Sequence, residues 1–148
     1  MPKEEDVRQV SNQFYNALTD MGNGIAGKME GIWAHDESVT AMHPIGGRDL
    51  GWTAVKNSFD QVAGLAADGK IELKDQLIRV AGDVAYEIGT ETGEFKLAGS
   101  EVKIGQRVTN IYQLKDGQWK IIHHHADTSP SMMDVLSKLQ SSMEKAEK

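Results

Sequence analysis

From about residue 70 to residue 127 the chain alternates apolar and polar residues with a period of two, interrupted only by short turn sequences. The turns are "AGD", "AGSE" and "KDGQ", all suited to tight hairpins. They divide the run into four expected strands, at about 70–80, 83–97, 101–115 and 118–127. Strands joined in this way form an antiparallel meander. A meander with an apolar face must bury that face against something else.

The N-terminal half supplies the cover. Val7, Val10, Phe14, Leu18 and Met21 recur at helical spacing, and Glu4, Glu5 and Asp6 favour the positive end of a helix over 4–21. A short second helix is expected to run to about Trp33. "SVTAMHP" reads as a strand stopped by Pro44 and Gly46-Gly47, and residues 52–66 as a third helix. Ser129-Pro130 suits the start of a last helix striped by Met132, Leu136, Leu139 and Met143, with a fraying tail "EKAEK". The expected fold is a single α+β domain over 1–148, with helices packed on one face of a bent antiparallel sheet.

Composition narrows the function. The net charge is -6 with no basic patch, so nucleic acid and anionic membrane are not expected partners. There is no cysteine, hence no disulfide framework and no thiolate metal site. The charged start lacks an apolar core of the leader type and no apolar run is long enough to span a bilayer, so a cytoplasmic location is expected. Gly22, Gly24 and Gly27 match G-x-G-x-x-G, but a helix precedes them where the dinucleotide fingerprint needs a strand. They read as a link between helices.

Strand pairing sorts the side chains by face. A loop on Asp116-Gly117 pairs Leu114 with Trp119 and Tyr112 with Ile121. Strict alternation then pairs Asn110 with His123 and Val108 with His125. The triple histidine of "IIHHHAD" splits into an inward pair, His123 and His125, and an outward His124. Pairing Phe95 with Ile104 sets Glu91 opposite Val108 and Glu87 opposite Tyr112. One face then holds an apolar zone and a polar zone of Glu87, Glu91, Asn110, His123, His125 and Asp127, as a pocket with convergent polar groups requires. The opposite face also carries apolar residues, including Ile111 and Ile122. A second copy of the chain is expected to cover it, giving a homodimer through the outer sheet face.

The helix–helix–strand–helix–meander order, the segment "MHPIGGRDLGWTAV" and the ending "RVTNIYQLKDGQWKIIHHHADTSP" resemble SnoaL-like domains. These belong to the ketosteroid-isomerase-like, nuclear-transport-factor-2-like superfamily. The ending also looks like the association domain of calcium/calmodulin-dependent kinase II. The resemblance implies a cone-shaped curved sheet with helices over its mouth and a deep central pocket. It implies a function among isomerases, dehydratases, cyclases and non-catalytic binding or oligomerising modules. Asn110 and Ala126 stand at two positions where the kinase domain's pocket is arginine-rich, and no motif here matches the isomerase's aspartate base and oxyanion-hole tyrosine.

The expected catalytic group is His125 with Asp127 or Glu91, an imidazole–carboxylate pair suited to proton transfer without a cofactor. Asn110, Tyr112 and His123 would position a small, partly apolar molecule. Glu87, His43, Trp33 and Trp52 would complete the pocket wall. The same residues could bind a ligand without chemistry, or form a purely structural hydrogen-bond network. His123 and His125 with Glu91 or Asp127 could also be drawn as metal ligands, but the preset spacing of a zinc site is missing and no metal is expected.

Overall fold

The computed structural model describes residues 3–146, with side chains through Met143; the tail residues 147 and 148 lie outside it. Helix α1 (Lys3–Gly22) leads through a loop to the short strands β1 (Thr40–Met42) and β2 (Asp49–Leu50). Helix α2 (Trp52–Ala63) follows, then four long strands, β3 (Ala66–Ala81), β4 (Val84–Leu97), β5 (Ser100–Lys115) and β6 (Gln118–Ala126). Helix α3 (Pro130–Ala146) closes the chain. The six strands form one curved, open sheet in the order β2-β1-β6-β5-β4-β3. All neighbours are antiparallel except β1 and β6. No helix among the described residues is long and apolar enough to cross a membrane.

The meander forms because its turns fit it. Asp116 (φ 52) with Gly117 (φ 77), and Ala98 (φ 50) with Gly99 (φ 83), place two successive left-handed residues at each hairpin tip. That geometry matches the twist of the flanking strands. Leu114 pairs with Trp119 and Tyr112 with Ile121, as the alternation requires. The β4–β5 hairpin is tighter than expected. Leu97 pairs with Ser100, so Phe95 meets Val102, Glu91 meets Gln106 and Glu87 meets Asn110. The offset from the expected register is two residues. An even offset changes partners and preserves faces, so Glu87 and Glu91 still point inward.

The expected second helix does not form. Gly24 and Gly27 adopt φ 83 and 86, and residues 28–32 are turns. The segment docks on β6 instead: Ile121 N–H donates to Ile32 O and Ala34 N–H to Ile121 O, both at 3.0 Å. The glycine link is close-packed. A Cβ on Gly69, at the start of β3, would lie 2.6 Å from the Gly22 carbonyl oxygen.

Helix α1 lies on the inner sheet face, where Thr19 Oγ1 both donates to Ile71 O and accepts from Ile71 N–H at 3.0 Å. Phe14 sits at the centre of the core, edge-on to Tyr15, Trp33, Phe59 and His124. Helix α2 adds Val55 and Phe59 from one side. The first turn of α3 adds Met132, capped by the Ser129 hydroxyl oxygen, which accepts from Met132 N–H at 3.3 Å.

One irregularity decides the site. Pairing between β5 and β6 runs Tyr112–Ile121 and then Ile111–His123, so Ile122 is an extra residue in β6. A bulge of one residue reverses the facing of everything beyond it. Trp119 and Ile121 point inward before it, and His124 and Ala126 after it.

Candidate functional site

The inner face of the cone holds a cavity of about 50 Å³, room for a few water molecules or one small organic group. Its walls are mostly apolar: Leu18 and Met21 of α1, Phe59 and Val62 of α2, Phe95 and Ile104 of the sheet, and Met132 of α3. Five polar side chains break that surface, namely Glu91, Gln106, His124, His43 and Ser58.

Glu91 projects from β4 into this apolar space. Tyr15 donates its hydroxyl to Glu91 Oε2 at 2.8 Å, and Gln106 Nε2 donates to Oε1 at 3.0 Å. Burial pushes the Glu91 carboxyl up to about 7; the two hydrogen bonds oppose the shift and the nearby Glu87 carboxylate adds to it. A carboxyl titrating there can give or take a proton at neutral pH.

Behind Glu91 runs a buried network. Glu87 receives hydrogen bonds from Asn110 Nδ2 at 2.9 Å, Tyr112 hydroxyl at 2.8 Å and Gln76 Nε2 at 2.6 Å. Gln76 in turn accepts from Arg8 on α1. Asn110 Nδ2 also donates to the Tyr15 oxygen at 3.2 Å. With its amide nitrogen committed to acceptors, Asn110 must accept through Oδ1, which lies 2.6 Å from His124 Nδ1. His124 therefore carries its proton on Nδ1 and leaves Nε2 bare. Burial, reinforced by the neighbouring histidines, holds its pKa well below the ordinary histidine value, so the ring is neutral.

His43 stands one residue beyond β1, at the cavity wall. Its Nε2 lies 2.9 Å from Asp49 Oδ2 on β2, and Ser58 of α2 donates to the same oxygen. Burial lowers the His43 pKa, and Asp49 works against that shift. The result is a neutral imidazole whose Nε2–H is oriented by a carboxylate and whose Nδ1 keeps its lone pair. Phe59 packs against the ring edge-on, with centroids 5.0 Å apart.

The sequence-expected residues divide between this cavity and other places. Glu91 and His43 line it, while Glu87, Asn110 and Tyr112 form the network behind it. The expected inward pair of histidines is reversed by the Ile122 bulge: His124 is 2% exposed inside, while His123 and His125 turn outward. His123 Nδ1 meets Thr40 Oγ1 at 2.7 Å. His125 and Asp127 line a shallow outer groove, where Asp127 is paired with Arg107 at 2.8 Å and its carboxyl is held below the ordinary carboxylate range. Glu91 lies across the sheet from both, so neither the expected His125–Glu91 pair nor the conceivable metal set forms, and no cluster of three metal-ligating side chains occurs among the described residues. Trp33 is core, packed between Phe14, Phe59 and Trp52, and Trp52 stacks on His35 with centroids 4.4 Å apart; neither ring lines the cavity.

Gln106, Tyr15 and Asp49 escaped the sequence reading, as did Ser58, Gln76 and Arg8. Gln106 has the parity of Ile104 and Val108 and was legible as inward by that alone. Tyr15 lies four residues after Ser11 and one after Phe14, a second row beside the apolar stripe of α1. Asp49 had no local signal, since its partner is reached only when β2 folds back on β1.

The SnoaL-like domain family model matches residues 7–132. The chain belongs to the SnoaL-like domain family. Solved structures of the same fold include a "putative dehydratase from the NTF2-like family" of Streptomyces avermitilis, 23% identical, with TM-score 0.74 over 86% of this chain and 98% of that one. A "putative ketosteroid isomerase" from Shewanella frigidimarina is 22% identical, with TM-score 0.64 over 80% and 92%. A "putative calcium/calmodulin-dependent protein kinase type II association domain" from Thiobacillus denitrificans is 21% identical, with TM-score 0.65 over 80% and 91%. At these identities the likeness is one of fold. No curated protein matches the chain. This SnoaL-like domain thus shares the curved sheet and roofing helices of those structures, with its own set of polar groups in the cone.

Proposed function

We propose that this SnoaL-like domain binds a small, largely apolar molecule in the cone and carries out cofactor-free general acid–base chemistry on it, of the isomerase, dehydratase or cyclase kind. The observation that carries the reading is the pairing of two proton-transfer groups at one apolar cavity: Glu91, titrating near neutrality, and His43, neutral and oriented by Asp49. Such a pair can remove a proton beside a carbonyl and return one elsewhere. The names of the dehydratase-like and isomerase-like neighbours agree with it.

Hydrogen–deuterium exchange tests the reading directly. Acetone in deuterium oxide is expected to lose its α-protons faster with the protein than in buffer, followed by proton NMR. His43→Ala should reduce that acceleration about 100-fold, the usual scale for losing a general base, while chemical shifts still report ketone binding. His125→Ala, on the outer face, should leave it intact. No acceleration by the unaltered protein, or its loss in His125→Ala alone, would overturn the assignment.

The outer face supports an assembly alongside this activity. Leu77, Val84, Tyr86 and Ile88 are exposed together on β3 and β4. We propose that a second copy covers them, since adjacent apolar side chains on a sheet face favour a partner. Sedimentation should show a dimer at micromolar concentration and a monomer for Tyr86→Lys with Ile88→Lys; a monomeric unaltered protein would rule the dimer out.

A further inference from the structure

Among the described residues, Gln106 is the polar side chain of the cavity that has a fully buried hydrogen-bonding atom without a partner. It is 4% exposed on the inner face of β5. Its Nε2 is committed to Glu91 Oε1, which fixes the orientation of the amide. Its Oε1 is buried and has no partner. A buried carbonyl oxygen without a donor is destabilising, and native interiors rarely leave one. Trp33 Nε1 is also unpartnered, but that ring is core and does not line the cavity.

The neighbouring donors cannot serve Gln106. Tyr15 gives its hydroxyl proton to Glu91, and Ser58 gives its own to Asp49. His43 directs Nε2–H at Asp49. His124 directs Nδ1–H at Asn110 and has no second proton. With the Glu91 carboxyl ionised, each donor among these polar groups is spoken for, and the remaining surface is hydrocarbon, which supplies none. The cavity has room for a few water molecules, so the donor that completes Gln106 is a bound water or a ligand hydroxyl that takes its place. A neutral hydroxyl suits these mostly apolar walls, where an ammonium would have to shed its hydration.

We infer that Gln106 is a specificity-determining residue that reads a hydroxyl group on the ligand, so that the cavity selects small aliphatic alcohols over hydrocarbons and plain ketones of the same shape. The inference rests on the cavity being the ligand site, as proposed above, and deepens it by naming the group recognised. A site built to bond a hydroxyl discriminates strongly against analogues lacking it, because its buried polar atom is then left bare.

Three small probes of similar shape separate the possibilities: propan-2-ol, 2-methylpropane and acetone, titrated into the full chain at pH 8.5 with the methyl signals of Met21, Ile104 and Met132 as reporters. Propan-2-ol is expected to bind about tenfold tighter than 2-methylpropane, the scale of one buried hydrogen bond. Acetone, which only accepts, should show no such gain at a pH where the Glu91 carboxyl is ionised. In Gln106→Leu the alcohol preference should collapse to near unity while 2-methylpropane still binds. Comparison of the probes on the unaltered protein stands even if that variant does not fold. Equal binding of all three probes overturns the hydroxyl assignment and leaves the cavity as a ligand site. Absence of methyl shifts with every probe removes the ligand site itself, and the inference with it.

Discussion

Replacing Glu91 with glutamine will raise the thermal midpoint at pH 8 and leave it nearly unchanged at pH 4. The carboxyl sits at about 7 in the folded protein against an ordinary value of 4.5. A raised carboxyl binds its proton more tightly folded than unfolded. The stability it contributes is complete below about pH 4.5, falls as pH rises towards 7, and is lost above that. The difference of 7 - 4.5 = 2.5 pH units corresponds to roughly 3 kcal/mol. Glutamine removes the buried charge and keeps the hydrogen bonding, since its carbonyl can accept the Tyr15 proton and its amide can donate to the Gln106 carbonyl once that amide turns over. For a chain of this length the gain at pH 8 is on the order of 6–12 °C. Calorimetry of both proteins at pH 4 and pH 8 checks it. Equal midpoints at pH 8, or a less stable variant there, would show that Glu91 does not carry a buried charge. Exchange activity should fall in the same variant, a trade of function for stability expected where a site holds a destabilised group.

The opposite result is expected for Asn110→Leu. Asn110 is wholly buried and touches three polar partners, donating to Glu87 and to the Tyr15 oxygen and accepting from His124. Leucine has similar volume and none of these bonds. The substitution leaves His124 Nδ1–H without an acceptor and strips one donor from Glu87, both in the interior. Breaking a buried network at its hub typically costs about 3–5 kcal/mol. The thermal midpoint should drop by roughly 10 °C at neutral pH. Denaturant unfolding measures the same quantity independently. A loss below about 1 kcal/mol would mean that the network is not a unit and that its members find other partners.

The four-strand meander was legible because hairpin chemistry is local. Asp116-Gly117 favours two successive left-handed residues by itself, Gly99 accepts the same conformation beside Ala98, and alternation does the rest. The inward facing of Glu87, Glu91, Asn110 and Tyr112 followed from that alternation, even with β4 paired two residues away from the expected register. The facing of the histidines was not legible. Nothing in "KIIHHHAD" distinguishes Ile122 as a residue that steps out of the ladder. The bulge is fixed by long-range packing: Trp33 and β1 dock on the outer edge of β6, while Phe14 packs on His124 from within. The missing second helix has the same origin, since residues 32–34 gain more by bonding to Ile121 than a short glycine-flanked helix could offer. The Asp49 partner of His43 depended likewise on β2 returning to β1, a pairing of two short strands with little sequence signature.

Ile122 makes the last strand a frame-shifted text. Upstream of it odd numbers are read inside, and downstream even ones are, although the chain has not changed direction. Adding or removing one residue there would exchange the interior's vocabulary in a single mutational event, bringing His123 and His125 to the cavity and sending His124 to solvent. Two SnoaL-like chains with identical letters in these columns can therefore present different chemistry to a ligand. Positions past that point are comparable between relatives only after the bulge in each has been located.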